Sequence, residues 1–102
     1  MDYTAPLREF TSRLHHLHLK DATVHRDQLN EHGILANPLK FHTPRLPGRG
    51  DIDWGEYLTT LRDVGWTGPV VVEVEDKDYE DTVEDRKRSL TDCREYLRQW
   101  IP

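Results

Sequence analysis

The stretch Asp53-Trp54-Gly55-Glu56-Tyr57-Leu58-Thr59-Thr60-Leu61-Arg62-Asp63-Val64-Gly65, followed by Trp66-Thr67-Gly68 and then Pro69-Val70-Val71-Val72-Glu73-Val74-Glu75, decides the fold. Asp53 is an N-cap with Glu56 three residues on, and Trp54, Tyr57, Leu58, Leu61 and Val64 form an apolar stripe at helical spacing. Gly65 closes it, since glycine readily takes the left-handed conformation that ends a helix. After a short link comes a β-branched run, read as a strand with Val70, Val72 and Val74 on one face and Val71, Glu73 and Glu75 on the other. The strand therefore carries a carboxylate on an element otherwise suited to burial.

Working backward, His15-His16-Leu17-His18-Leu19-Lys20 alternates, so a first strand presents His16, His18 and Lys20 on one face and Leu17 and Leu19 on the other. Asp2 to Arg13 reads as a helix, with Leu7, Phe10 and Leu14 in step and Pro6 tolerable only near its start. Between the first strand and the Asp53 helix, residues 21–50 contain three prolines and the run Pro47-Gly48-Arg49-Gly50, a composition favouring turns over regular elements. A short helix is expected near Asp27 to His32. Working forward, the acidic stretch Glu75 to Asp85 leads to an amphipathic helix through Leu90, Cys93, Leu97 and Ile101, with Arg86, Lys87 and Arg88 on its early turns.

A strand, a helix and a second strand in sequence predict a βαβ unit with parallel strands and a right-handed crossover. Parallel strands are normally covered on both faces, so the His16/His18 and Glu73 faces are expected to be enclosed. At 102 residues the chain is enough for one small domain and too short for a complete (β/α)8 barrel, which needs roughly 250. Any such fold is present only in part.

Lys plus Arg number 14 against 19 Asp plus Glu, a formal charge of −5, so no basic excess exists to neutralise a phosphate backbone and nucleic acid is excluded as a partner. The longest purely aliphatic run is Val70 to Val72, and Met1 to Arg13 lacks the basic leader and apolar core of a secretion signal. No membrane association is expected. The single cysteine, Cys93, forms neither an internal disulfide nor a thiolate cage and is read as an inert helix residue. A cytoplasmic setting follows as the default.

In parallel α/β architectures the ligand site lies beyond the carboxyl ends of the strands. His18 and Glu73 both fall there, and the long connection leaves from the same edge. Imidazole and carboxylate together suit Mn, Co, Zn or Mg, according to the remaining ligands. Two ligands make an incomplete site. His18 as a hydrogen-bonded structural histidine and Glu73 as a solvent-facing strand residue are the plain alternatives. Lys20 and Asp21 are expected to pair with each other or with the loop, while His15, His25, His32 and His42 are read as surface or loop residues and Trp54 and Trp66 as packing residues.

Three segments carry a resemblance to a known family. His16-Leu17-His18-Leu19-Lys20-Asp21, Arg45-Leu46-Pro47-Gly48-Arg49-Gly50-Asp51-Ile52-Asp53-Trp54 and Gly65-Trp66-Thr67-Gly68-Pro69-Val70-Val71-Val72-Glu73-Val74-Glu75-Asp76 look like the last quarter of the sugar phosphate isomerase/epimerase family, the xylose isomerase-like TIM barrels. The resemblance implies an α/β fold: a partial (β/α)8 barrel in which residues 1–102 are a C-terminal fragment holding strands seven and eight with the helix before them. It implies that His18 binds a divalent metal (Mn, Co, Mg or Zn), and that Glu73 binds the same metal and works as the catalytic acid/base. His16, Lys20 and Arg49 would be substrate-binding residues. The implied chemistry is metal-dependent proton transfer beside a carbonyl in a small sugar or polyol-derived ketone.

The family's first six strands, with two further metal ligands and a second catalytic glutamate, have no counterpart in this sequence, which implies a chain inactive by itself. A truncated or split reading frame, or a partner that supplies the rest, accounts equally for that. The DNA-repair branch of the same barrels carries an Asp-x-His motif where this chain has His42-Thr43-Pro44-Arg45, so that branch is disfavoured. A second reading is a non-catalytic assembly module, since two parallel strands cannot close a barrel and their open edges favour a homo-oligomer or a complementary barrel fragment.

Overall fold

The structure is a computed structural model that describes residues 2–101. Its centre is a parallel pair: β1 (Leu17–Leu19) lies beside a strand of Val70–Val72, in the register Leu17 opposite Val70, His18 opposite Val71 and Leu19 opposite Val72. Backbone bonds from Leu17 N–H to Pro69 and from Glu73 N–H to Leu19 carry the pairing beyond both ends. Both strands are shorter than the alternating sequence suggests.

The connecting segment is where structure and expectation part. Residues 21–50 are not an irregular loop: β2 (Asp21–Val24) and β3 (His42–Arg45) pair antiparallel, with α2 (Arg26–His32) and a 3-10 turn at Pro38–Lys40 between them. The short helix stands where the sequence placed it. The ribbon escapes sequence reading because each strand has four residues, neither alternates cleanly, and Pro44 withholds a ladder donor. Pro44 is tolerated opposite Ala22 because this two-stranded sheet consists only of edges.

The Asp2–Arg13 helix is likewise smaller than its apolar spacing suggests. It breaks into α1 (Ala5–Glu9) and a 3-10 turn at Thr11–Arg13, where the Thr11 hydroxyl bonds back to the Leu7 carbonyl. The Asp53 helix, α3 (Trp54–Asp63), behaves as its sequence dictates. Asp53 accepts from Glu56 N–H at 2.9 Å, and Gly65 at φ +79° closes the far end with paired bonds, Gly65 N–H to Arg62 and Trp66 N–H to Leu61.

The strand Val70–Val72 is β4, and the chain ends in α4 (Val83–Leu97), capped by Thr82. Cys93 and Leu97 are buried, whereas Leu90 is exposed, so only part of the expected stripe is covered.

The core is one-sided. Leu7, Leu19, Trp54, Leu58, Leu61 and Leu97 form it, with Leu17, Val70 and Val72 packed against it, so the apolar faces of β1 and β4 look toward the helices. The opposite face, bearing His18, Val71 and Glu73, is not enclosed: the His18 and Glu73 side chains are 53% and 43% exposed. Burial on that face would need further strands or another layer, and the helices that pack on the core sit on the other side. Val74, expected beside Val70 and Val72, lies past the end of β4 and is exposed. The molecule is accordingly a slab, 39 × 36 × 20 Å, with a radius of gyration of 15.0 Å, against about 13 Å for a compact chain of this length.

Candidate functional site

The parallel register sets His18 and Val71 side by side and carries Glu73 one step beyond the end of β4. His18 Nδ1 lies 2.8 Å from Glu73 Oε1, within hydrogen-bond distance across 55 residues of sequence. The imidazole N–H donates and the carboxylate accepts. Two side chains placed at one rim by strand reading are therefore in direct contact.

Three more polar residues extend the row. The His16 ring is tilted against the His18 ring with centroids 4.8 Å apart. Lys20 pairs with Glu75 and stands 3.9 Å from Glu73 Oε2. The bond to Glu75 is the main reason the Lys20 ammonium pKa is raised. Imidazole, imidazole, carboxylate, ammonium and carboxylate thus run along the open face. Lys20 does not pair with Asp21.

Asp21 turns the other way. It is almost wholly buried and accepts five N–H bonds: Oδ1 from the backbones of Ala22 and Ile52, Oδ2 from the backbones of Gly48 and Gly50 and from the Trp54 indole. This carboxylate shapes the Gly-rich turn. Gly50 is required by close approach, because a Cβ there would fall on the Asp21 carboxylate and 2.6 Å from the Ala22 carbonyl oxygen.

Arg49, carried by that turn, is held by acids on the loop after β4. It bonds Asp78 at 3.1 Å, lies 3.5 Å from Asp76 and stacks over the Tyr79 ring at 5.0 Å. Arg45 reaches the same two acids, at 3.3 Å from Asp76 and 3.0 Å from Asp78. Asp76 is fully buried and also accepts the Leu46 N–H. The fold brings His16, His18, Lys20 and Glu73 together, while the polar partners of Arg49 belong to this neighbouring network. Sequence reading overlooked Asp76 and left Asp21 undecided. The signal was an aspartate just past each strand, in Lys20-Asp21 and Glu75-Asp76, facing a turn rich in backbone donors.

Of the remaining histidines, His15, His25 and His32 are exposed and His42 bonds the Pro38 carbonyl. Trp54 is buried and Trp66 packs against the core, as expected of packing residues. Cys93 is buried, and burial pushes its thiol pKa up to about 11.

The donor chemistry of His18 and Glu73 suits a divalent cation, but the number of donors does not complete a site. Among the described residues no group of three His, Cys, Asp or Glu is placed to hold a metal. The direct His18–Glu73 bond, moreover, occupies one donor atom of each residue. The residues therefore amount to part of a coordination set. Among the described residues no helix is long and apolar enough to cross a membrane.

Comparison with known protein families finds that the profile of xylose isomerase-like TIM barrels matches residues 2–100. Comparison with curated proteins gives no match.

Proposed function

Because the chain belongs to the xylose isomerase-like TIM barrel family, we propose that it forms one rim of a sugar isomerase or epimerase site, on strands corresponding to the seventh and eighth of the barrel. The observation that carries this reading is the 2.8 Å contact between His18 and Glu73 at the carboxyl ends of two adjacent parallel strands. That end of the sheet is where parallel α/β enzymes gather their reactive groups.

In this reading Glu73 is the acid/base. Its carboxylate takes the proton from the carbon beside a substrate carbonyl and returns it to the neighbouring carbon or to the opposite face, converting one sugar or polyol-derived ketone into its isomer. His18 orients that carboxylate through its N–H. His16 and Lys20 line the same face and offer donors to substrate oxygens, while Arg49 fixes the bordering turn and contributes to substrate binding at its edge. A divalent ion such as Mn, Co, Mg or Zn would supply charge for the oxyanion that develops. His18 and Glu73 would furnish two of its ligands, with the others from residues outside this pair.

With only part of the ligand set, the chain by itself is expected to bind metal weakly and to turn over no substrate. A cytoplasmic setting accords with one buried, unreactive cysteine. Titration with Mn2+, followed by paramagnetic broadening of NMR resonances, tests the assignment. Broadening is expected first at His18 and Glu73, and His18→Ala or Glu73→Ala should each remove it. Broadening spread evenly over the acidic surface, or indifferent to both substitutions, would sink the reading.

A further inference from the structure

The Gly-rich turn and the loop after β4 are joined by a cluster of opposite charges. Arg45 Nη1 donates to Asp78 Oδ2 at 3.0 Å and Arg49 Nη2 donates to the same atom at 3.1 Å, so two guanidinium groups converge on one carboxylate oxygen. Both arginines are also held without it. Asp76, fully buried, lies 3.3 Å from Arg45 and 3.5 Å from Arg49, and the Arg49 guanidinium stacks over the Tyr79 ring. Asp78 is half exposed, and its backbone N–H donates to Asp76 Oδ1 two residues earlier.

The backbone donors of the turn are occupied as well. Leu46 N–H goes to Asp76, Gly48 and Gly50 N–H go to Asp21, and Arg49 N–H goes to the Leu46 carbonyl. In (β/α)8 barrels the loops after the seventh and eighth strands are a frequent seat for a substrate phosphate. Here the chain's own carboxylates take the donors that such a group needs.

We propose that Asp78 is a specificity-determining residue: its carboxylate closes this two-arginine site to anions, so the part of the substrate that meets the turn is uncharged and hydroxyl-bearing, not a phosphate ester or a carboxylate. The statement about substrate rests on the rim reading above, whereas the closure itself does not. Two guanidinium groups against one buried carboxylate leave a positive charge, which Asp78 neutralises. A carboxylate on so short a tether acts at an effective concentration of millimolar order or more, and a free anion must displace it to enter. Without that charge the guanidinium groups stay where Asp76 and Tyr79 hold them, preorganised for charge-assisted bonds to an oxyanion.

Titration with inorganic phosphate, at an ionic strength held constant with sodium chloride, tests the proposal on the wild-type chain and on Asp78→Asn. The Nε–H resonances of Arg45 and Arg49 report binding, and amide dispersion confirms that the variant keeps its fold. The expected result is phosphate binding at least about tenfold tighter in Asp78→Asn than in the wild type, equivalent to about 1.4 kcal/mol. Asp78→Ala should give the same gain, and adding Arg49→Gln to Asp78→Asn should abolish it. A wild-type chain that binds phosphate at these arginines as tightly as the variants, variants that gain nothing, or a gain that survives Arg49→Gln overturns the proposal. Metal titration reads His18 and Glu73 separately, so the rim reading can fail while the closure of the arginine site holds, and the reverse.

Discussion

The Trp54 indole N–H and the Asp21 carboxylate meet at 2.8 Å in a buried contact that ties the first residue of α3 to the chain just beyond β1. Around that contact four backbone N–H groups converge on the same two oxygens. Asp21 thus acts as an anchor for the turn that separates the hairpin from α3.

Replacing Asp21 by Asn keeps the volume but turns an NH2 group toward donors that need an acceptor. Stability should fall by about 2–4 kcal/mol, since buried donors left unpaired cost about 1–3 kcal/mol each. Urea denaturation gives the loss, and a shift of the Trp54 indole resonance in folded protein localises it. A change under about 0.5 kcal/mol would contradict the anchoring role.

Gly50→Ala should be similarly harmful for a different reason. The added methyl would collide with the Asp21 carboxylate and the Ala22 carbonyl, both fixed by other bonds, so the turn must move. A loss of about 1–3 kcal/mol in thermal or urea unfolding is expected, in the range for overpacking. Gly50 is not among the glycines with a positive φ, so the loss reports the collision rather than backbone strain.

Asp76 and Asp21 hold the same segment, Asp76 through Leu46 and Asp21 through Gly48 and Gly50. Asp76→Asn alone should cost about 2–4 kcal/mol, because Arg45 and Arg49 lose a buried partner. Combined with Asp21→Asn the two losses should fall short of additive by more than about 0.5 kcal/mol, the signature of one shared element. Strict additivity would show that the two aspartates act independently.

His18→Ala and Glu73→Gln should leave stability within about 1 kcal/mol of the parent, because the pair is exposed and a solvent-accessible contact of that kind contributes little. Residues with so small a structural role, on a face where nothing among the described residues covers them, are the ones whose loss should be felt in ligand binding. Parallel denaturation and metal-titration curves on the same two variants check both halves.

Cys93 has a thiol whose pKa is raised by burial from about 9 to about 11. Burial disfavours the thiolate in the folded state, so this group's contribution to stability is fully present below pH 9 and is lost as the pH climbs toward 11. Alkylation by iodoacetamide near pH 8 should be slow in native protein and fast in urea. Rapid native labelling at that pH would show that the thiol is accessible and ionised.

Much of this was legible in the chain, and the residues explain which parts. Asp53, Glu56 and Gly65 act through bonds spanning three to five residues, so the bounds of α3 follow from local sequence. The period-two pattern of Leu17-His18-Leu19 and Val70-Val71-Val72 likewise states which side chains share a face, and the helix α3 between the two strands predicts that they run parallel. Together these placed His18 and Glu73 at one rim.

The tertiary structure alone decided what each face meets. Strand pairing in the hairpin, between Asp21–Val24 and His42–Arg45, depends on partners 18 to 24 residues apart, and no local pattern encodes it. The burial of Asp21 and Asp76 depends on backbone donors arriving from a turn some thirty residues away. The openness of the polar face depends on what packs there, a matter of the number of strands and the side taken by the helices. Periodicity assigns each side chain a direction, but whether that direction ends in protein or in water is settled by distant parts of the chain competing to cover it.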